Sequence, residues 1–223
     1  MPMPQDLVGK VINFSFRPDY PPDRTLLRNG VLADHDFTAT LQLYDVIGRV
    51  GGSQGRQIKP DRRIWSFSFL KYVAGWVATG PMTTPVLTGP MSGCYLCKYT
   101  EGGRQFLAHV GTVNTRDSDQ SIAVKTAWKA FVARPEVSNV SGANPAKLYT
   151  DAELIPEMPF GATVPPSVMG YFDAAGVGYA MAFMQVESNI KGKMMLGMLR
   201  VISVKPMPLL PWATLAQKKT FRD

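Results

Sequence analysis

Residues 95–110 read "YLCKYTEGGRQFLAHV", two runs of alternating character that meet at Glu101, Gly102 and Gly103. A period of two sends successive side chains to opposite faces of a strand, and glycine supplies the positive φ that a tight hairpin turn needs. The stretch therefore reads as a β-hairpin. Further short apolar-alternating runs, bounded by Gly, Pro and Asn, lie on both sides of it: "VINFSF" (11–16), "FTATLQLYDVIG" (37–48), "IWSFSFLKYVAGWVAT" (64–79), "GYAMAFMQVE" (178–187) and "MLGMLRVISV" (195–204). These are expected strands. The segment "SDQSIAVKTAWKAFVARP" (118–135) differs. Val124, Ala127, Trp128, Phe131 and Val132 recur there at helical spacing behind the N-cap candidates Ser118 and Asp119, with Pro135 as a stop. The Pro-rich and turn-rich stretches "PEVSNVSGANPAKLYT" (135–150) and "IPEMPFGATVPPS" (155–167) read as surface loops, with a short helical turn near residues 150–154. Mainly antiparallel strands with one principal helix make this an α+β chain.

Composition narrows the class. With 223 residues, 45% of them apolar and 18% charged, the chain is long and hydrophobic enough for one domain over residues 1–223 with its own core. Its net charge of +7 favours an acidic partner surface without naming one. The densest basic cluster is Arg56, Lys59, Arg62 and Arg63 in "GRVGGSQGRQIKPDRR" (48–63), and a second is Lys218, Lys219 and Arg222. Neither is interleaved with aromatics as a nucleic-acid groove would be, so the first reads as a solvated loop and no nucleic-acid partner is expected. The N-terminus shows no basic region followed by an apolar one, and no run approaches a membrane span. A chain made in the cytoplasm, with no membrane partner, is the expectation. The methionines at 181, 184, 194, 195 and 198 read as adaptable core filler.

The hairpin carries the only cysteines, Cys94 and Cys97, and His109, one of two histidines. If Glu101 and Gly102 form a two-residue loop, Thr100 pairs with Gly103 and Cys94 lies opposite His109. A four-residue loop makes them diagonal neighbours on the same face, whereas a three-residue loop separates them. Two registers of three thus place the thiol and the imidazole with Cβ atoms roughly 4.5–8 Å apart. A shared metal fits poorly, because residues 94 and 97 point to opposite faces of a strand and only His35 and His109 remain as soft ligands. A redox pair needs a helix directly after the first cysteine, which the sequence lacks. No metal and no organic cofactor are expected, and His35, between Asp34 and Asp36, reads as an exposed turn histidine.

A nucleophilic thiol needs a neighbouring imidazole to take its proton and donors for the oxyanion that forms when a carbonyl is attacked. Gly89 and Gly93 in "TGPMSGC" leave the backbone N–H groups of Gly93 and Cys94 unobstructed for that role. On spacing alone, Cys94 reads as a small buried hydrophobe and His109 as a satisfied strand histidine, with a thiol hydrolase as the alternative.

The step Ser92-Gly93-Cys94 behind an apolar residue, followed by Ala108-His109, resembles the Cys-His glutamine deamidase superfamily. Its members include the cytotoxic necrotizing factor catalytic domains, the Burkholderia lethal factor type toxin and the bacterial chemoreceptor glutamine deamidases. Met91 stands where that motif usually has leucine, and the likeness covers residues 88–112 closely. The resemblance implies a β-sandwich flanked by helices, with Cys94 as nucleophile, His109 as its base and Thr88 as the residue whose backbone carbonyl orients the histidine. It implies hydrolysis of a glutamine side-chain amide on a target protein: a host small GTPase or translation-initiation helicase for an exported toxin acting in a host cytosol, or a bacterial receptor otherwise. In size the chain looks most like the lethal-factor type. The alternative from another class is a non-catalytic β-sandwich binding or structural module.

Overall fold

The computed structural model describes residues 3–13, 38–49, 56–113, 118–154, 166–191, 193–218 and 221. The hairpin is there: strand β6 (Tyr95–Glu101) pairs with β7 (Arg104–Val110), and Glu101 lies opposite Arg104. The turn is therefore Gly102-Gly103, one residue later than a Glu101-Gly102 loop. Both glycines take positive φ, 56° and 78°, as a two-residue hairpin turn with the strands' own twist requires. This is the register in which Leu96 faces His109 and Cys94 is its diagonal neighbour.

Around the hairpin, β4 (Val77–Pro81) joins the free side of β7, while β8 (Val137–Ala143) and β12 (Leu210–Pro211) extend the sheet beyond β6. The remaining strands are β1 (Val11–Asn13), β2 (Thr38–Arg49), β3 (Arg56–Lys71), β5 (Val86–Met91), β9 (Ser167–Phe172), β10 (Gly178–Ile190) and β11 (Lys193–Pro206). They close into a seven-stranded barrel in the order β1-β11-β10-β9-β5-β3-β2. The α+β class holds, but a barrel beside a five-stranded sheet replaces the expected sandwich. Closure removes the sheet edges that a sandwich leaves open. The barrel is filled by Trp65, Phe67, Leu87, Tyr171, Met181, Phe183 and Val201, all almost fully buried. Each such side chain contributes roughly 1.5–3 kcal/mol on burial. Met184 and Met198 pack in a smaller cluster with Val11, Ile58 and Val186.

Helix α1 (Asp119–Val132) starts where Ser118 accepts a hydrogen bond from the Ser121 amide, and with α3 (Trp212–Gln217) it covers the outer face of the five-stranded sheet. Trp128 and Phe131 lie edge-on to Tyr99 at 5.8 and 5.2 Å. A third short helix, α2 (Asp151–Leu154), occupies the expected turn near residues 150–154.

Several local readings change. Residues 137–143 form β8 rather than a loop, because "VSNVSGA" gains its hydrogen bonds from β6, with Gly142 close enough that a Cβ would lie 2.5 Å from the Leu96 carbonyl oxygen. Residues 64–79 are not one strand. The chain leaves the barrel after Lys71, turns at Gly75 (φ 76°) and enters the second sheet at Val77. Val86–Met91 and Ser167–Phe172 are further barrel strands, the second starting at the last residue of the stretch 155–167 that reads as a loop. The basic stretch 56–63 belongs to β3 and is partly neutralised, since Arg63 and Lys10 both pair with Asp61 at 2.9 and 2.6 Å. Hydrogen bonds from Arg63 and Lys10 hold the Asp61 carboxyl well below the ordinary range. His35, Lys219 and Arg222 lie outside the described residues.

Candidate functional site

Between β3 and β6 the chain passes between barrel and sheet at every step: from β3 to β4, from β4 to β5, and from β5 to β6. Cys94 ends the last of these crossings, directly before β6. Its neighbours Ser92 and Gly93 are exposed while Cys94 itself is 2% exposed. It packs in the seam between the two sheets with Leu70 and Phe172 of the barrel and Ala78, Leu96 and Leu107 of the sheet. Seam packing is close: a Cβ on Gly170 of β9 would lie 2.0 Å from a Leu96 methyl.

His109 faces the same seam. Alternation along β7 turns Ala108 and Val110 toward α1 and sends Leu107 and His109 toward the barrel. Its Nδ1 lies 2.7 Å from Oγ1 of Thr88, a fully buried barrel residue on β5. The resemblance implied a backbone carbonyl at Thr88; the contact is made by the side-chain hydroxyl. The other ring nitrogen, Nε2, is buried with no hydrogen-bond partner among the described residues. Leaving such a nitrogen unpaired costs about 1–3 kcal/mol, which asks for a reason beyond packing.

Two residues that sequence reasoning did not single out complete the cluster. Tyr72, half-buried just after β3, holds its ring 5.3 Å from that of His109 and donates its hydroxyl to the Thr112 carbonyl at 3.0 Å. The same carbonyl lies 3.6 Å from the Cys94 sulfur, which receives a weak contact from Thr112 Oγ1 at 4.0 Å. Gly111 makes this approach possible, because a Cβ there would lie 2.3 Å from the Val73 carbonyl oxygen. No local pattern marks Tyr72, since its relation to Cys94 exists only once the turn after β3 is bonded to the residues that follow β7; "HVGT" at 109–112, with a glycine between imidazole and hydroxyl, was the available hint.

Burial sets the protonation states. It pushes the Cys94 thiol up, against opposing bonds from Thr112 and from backbone groups of Ser92 and Cys94, and it lowers His109 to about 3. At neutral pH the site holds a neutral thiol and a neutral imidazole. Cys97 is on the other face, packed against α1 with Tyr95, Trp128 and Phe131, its thiol pushed far up by burial. The two cysteines thus lie on opposite sides of one sheet, and no group of metal-ligating side chains is found among the described residues.

No protein-family model, curated protein or solved structure matches the chain. The chemical reading therefore rests on the residues themselves. Among the described residues, no helix is long and apolar enough to cross a membrane.

Proposed function

We propose that this chain, taken as one deamidase-like domain over residues 1–223, is a thiol hydrolase that converts a glutamine side chain of a target protein to glutamate, with Cys94 as nucleophile and His109 as base. The observation that carries the reading is the orphaned Nε2 of His109, which shares the seam with Cys94 while Nδ1 is anchored on Thr88. The mechanism takes the tautomer in which Nδ1–H donates to Thr88 Oγ1, leaving Nε2 free to accept. The Cys94 proton passes to Nε2 as the sulfur attacks the carboxamide carbon, so the ion pair forms with the tetrahedral intermediate rather than before it. Backbone N–H groups at Gly93 and Cys94 receive the oxyanion. Nε2–H then protonates the departing ammonia, and the imidazole removes a proton from the water that opens the thioester. An amine in place of water would give transglutamination at the same residues.

The target classes implied by the resemblance, a host small GTPase, a translation-initiation helicase or a bacterial receptor, are starting points for the test, as is action in a host cytosol after export. Peptide mass spectrometry of eukaryotic and bacterial extracts, treated with the protein or with Cys94→Ser, checks the reading. A glutamine-to-glutamate change at a defined site that requires the thiol is expected. Absence of any such change in both extracts, with Cys94 no more reactive than Cys97, would overturn it. One observation favours a second reading, a non-catalytic binding module: both site residues are almost fully buried and neutral. Equal sluggishness of the two thiols toward iodoacetamide, together with no glutamine conversion in either extract, is its signature.

A further inference from the structure

Cys94 and His109 are 2% and 1% exposed, so no protein glutamine reaches them in the arrangement described. What separates them from solvent is specific. Tyr72 is only half-buried, lies against the imidazole ring, and fixes the Thr112 carbonyl that also faces the Cys94 thiol. One carbonyl oxygen thus serves two donors, a phenol at 3.0 Å and a thiol at 3.6 Å. While the thiol proton points to this carbonyl it is not directed to Nε2, which has no partner among the described residues. Thr112 follows Gly111, whose amide and carbonyl are both tied to the turn after Tyr72, through Trp76 O at 2.8 Å and the Gly75 amide at 2.7 Å. Tyr72 and Thr112 therefore belong to one hydrogen-bonded unit.

We propose that Tyr72 and the Thr112 carbonyl form a latch that holds the Cys94–His109 site closed, and that a target protein opens it by displacing Tyr72. This rests on the hydrolase reading of the site. Opening swings the phenol off the imidazole and frees the Thr112 carbonyl, so that the thiol turns to Nε2 and a carboxamide enters where the ring stood. No covalent step is added. The latch keeps a nucleophilic cysteine from reacting with small electrophiles and ties its reactivity to a partner large enough to move Tyr72.

The test is the rate of iodoacetamide labelling at each cysteine in the native full chain, read by peptide mass spectrometry, for the wild type, Tyr72→Phe and Thr112→Val. Tyr72→Phe keeps the ring and loses only the bond to the carbonyl. It is expected to raise Cys94 labelling about five- to tenfold, the equivalent of one hydrogen bond, with Cys97 unchanged. Thr112→Val keeps the carbonyl and is expected to stay within about twofold of the wild type. A Cys94 rate unmoved by Tyr72→Phe overturns the latch. So does a rise shared equally by Cys97, which reports general loosening, or an equal rise in Thr112→Val, which would place the hold on the hydroxyl. Fast Cys94 labelling in Tyr72→Phe without glutamine conversion in any extract would keep the latch and remove the hydrolase. Conversion with a Cys94 rate unmoved by Tyr72→Phe would do the reverse.

Discussion

The hairpin β6–β7 has two faces, and both are buried. The outer one carries Tyr95, Cys97, Tyr99, Ala108 and Val110 against α1, and the inner one carries Leu96, Leu107 and His109 against the barrel, with Cys94 at its start. The outer face is closed by aromatic packing, and its thiol sits in an apolar cluster. On the inner face, Thr88, Tyr72 and Thr112 bring hydroxyls and a carbonyl into an otherwise apolar seam. Two cysteines three residues apart thus acquire different chemistry from the layer each meets, and burial by itself distinguishes neither.

Substitutions on each face sharpen this contrast. The largest effect is expected from Trp128→Ala on the outer face, which empties an aromatic site in full contact with Tyr99, Phe131 and Trp212. A loss of about 3–5 kcal/mol in denaturant unfolding is expected. Cys97 labelling should then rise more than Cys94 labelling, and the opposite order would break the two-face picture. Next is Gly111→Ala on the inner side, where a Cβ would meet the Val73 and Trp76 carbonyl oxygens at 2.3 and 2.8 Å. Because those atoms are backbone, a loss of about 3 kcal/mol is expected, and a variant as stable as the wild type would show that the turn at residues 72–76 yields freely.

Acid probes the inner face alone. His109 is held to about 3 in the fold against an ordinary 6.5, so between these pH values the unfolded chain binds the additional proton. Stability conferred by the neutral imidazole is present above pH 6.5 and is lost as pH falls toward 3, at up to about 1.4 kcal/mol per unit. Urea melts of wild type and His109→Gln across that range check it. The wild type should lose the steeper share, and parallel curves would mean that His109 is protonated in the fold. The smallest effect is expected for Cys97→Ala, about 1 kcal/mol of stability with the proposed deamidation and Cys94 labelling unchanged. A loss of activity in that variant would give the outer thiol a role that its surroundings do not suggest.

How legible each part was follows from the range of the interactions behind it. Hairpin, helix and most barrel strands are written in periodicity, because alternation and the Ser118 cap act over a few residues. The strand β8 was not legible: "VSNVSGA" is short and polar, and only pairing with β6 makes it a strand. Barrel closure was equally hidden, since it depends on β1, the first described strand, meeting β11 near the other end of the chain. At the site, the pair Cys94 and His109 was visible because one hairpin supplies both. Thr88 entered through a resemblance, and its contact is made by a different atom from the one that likeness implies.

The sequence by itself placed Cys94 and His109 on one face in two of the three simple hairpin registers, because a period of two and a glycine turn constrain them whatever surrounds the hairpin. It also determined that Cys97 does not share that face. The tertiary structure alone decided that the inner face meets a barrel rather than a second sheet, that Thr88 holds the imidazole through its hydroxyl, and that the Tyr72 ring packs against it. Those contacts join β3, β5 and β7, and pairing across such separations depends on the packing of the whole chain, which no local pattern encodes.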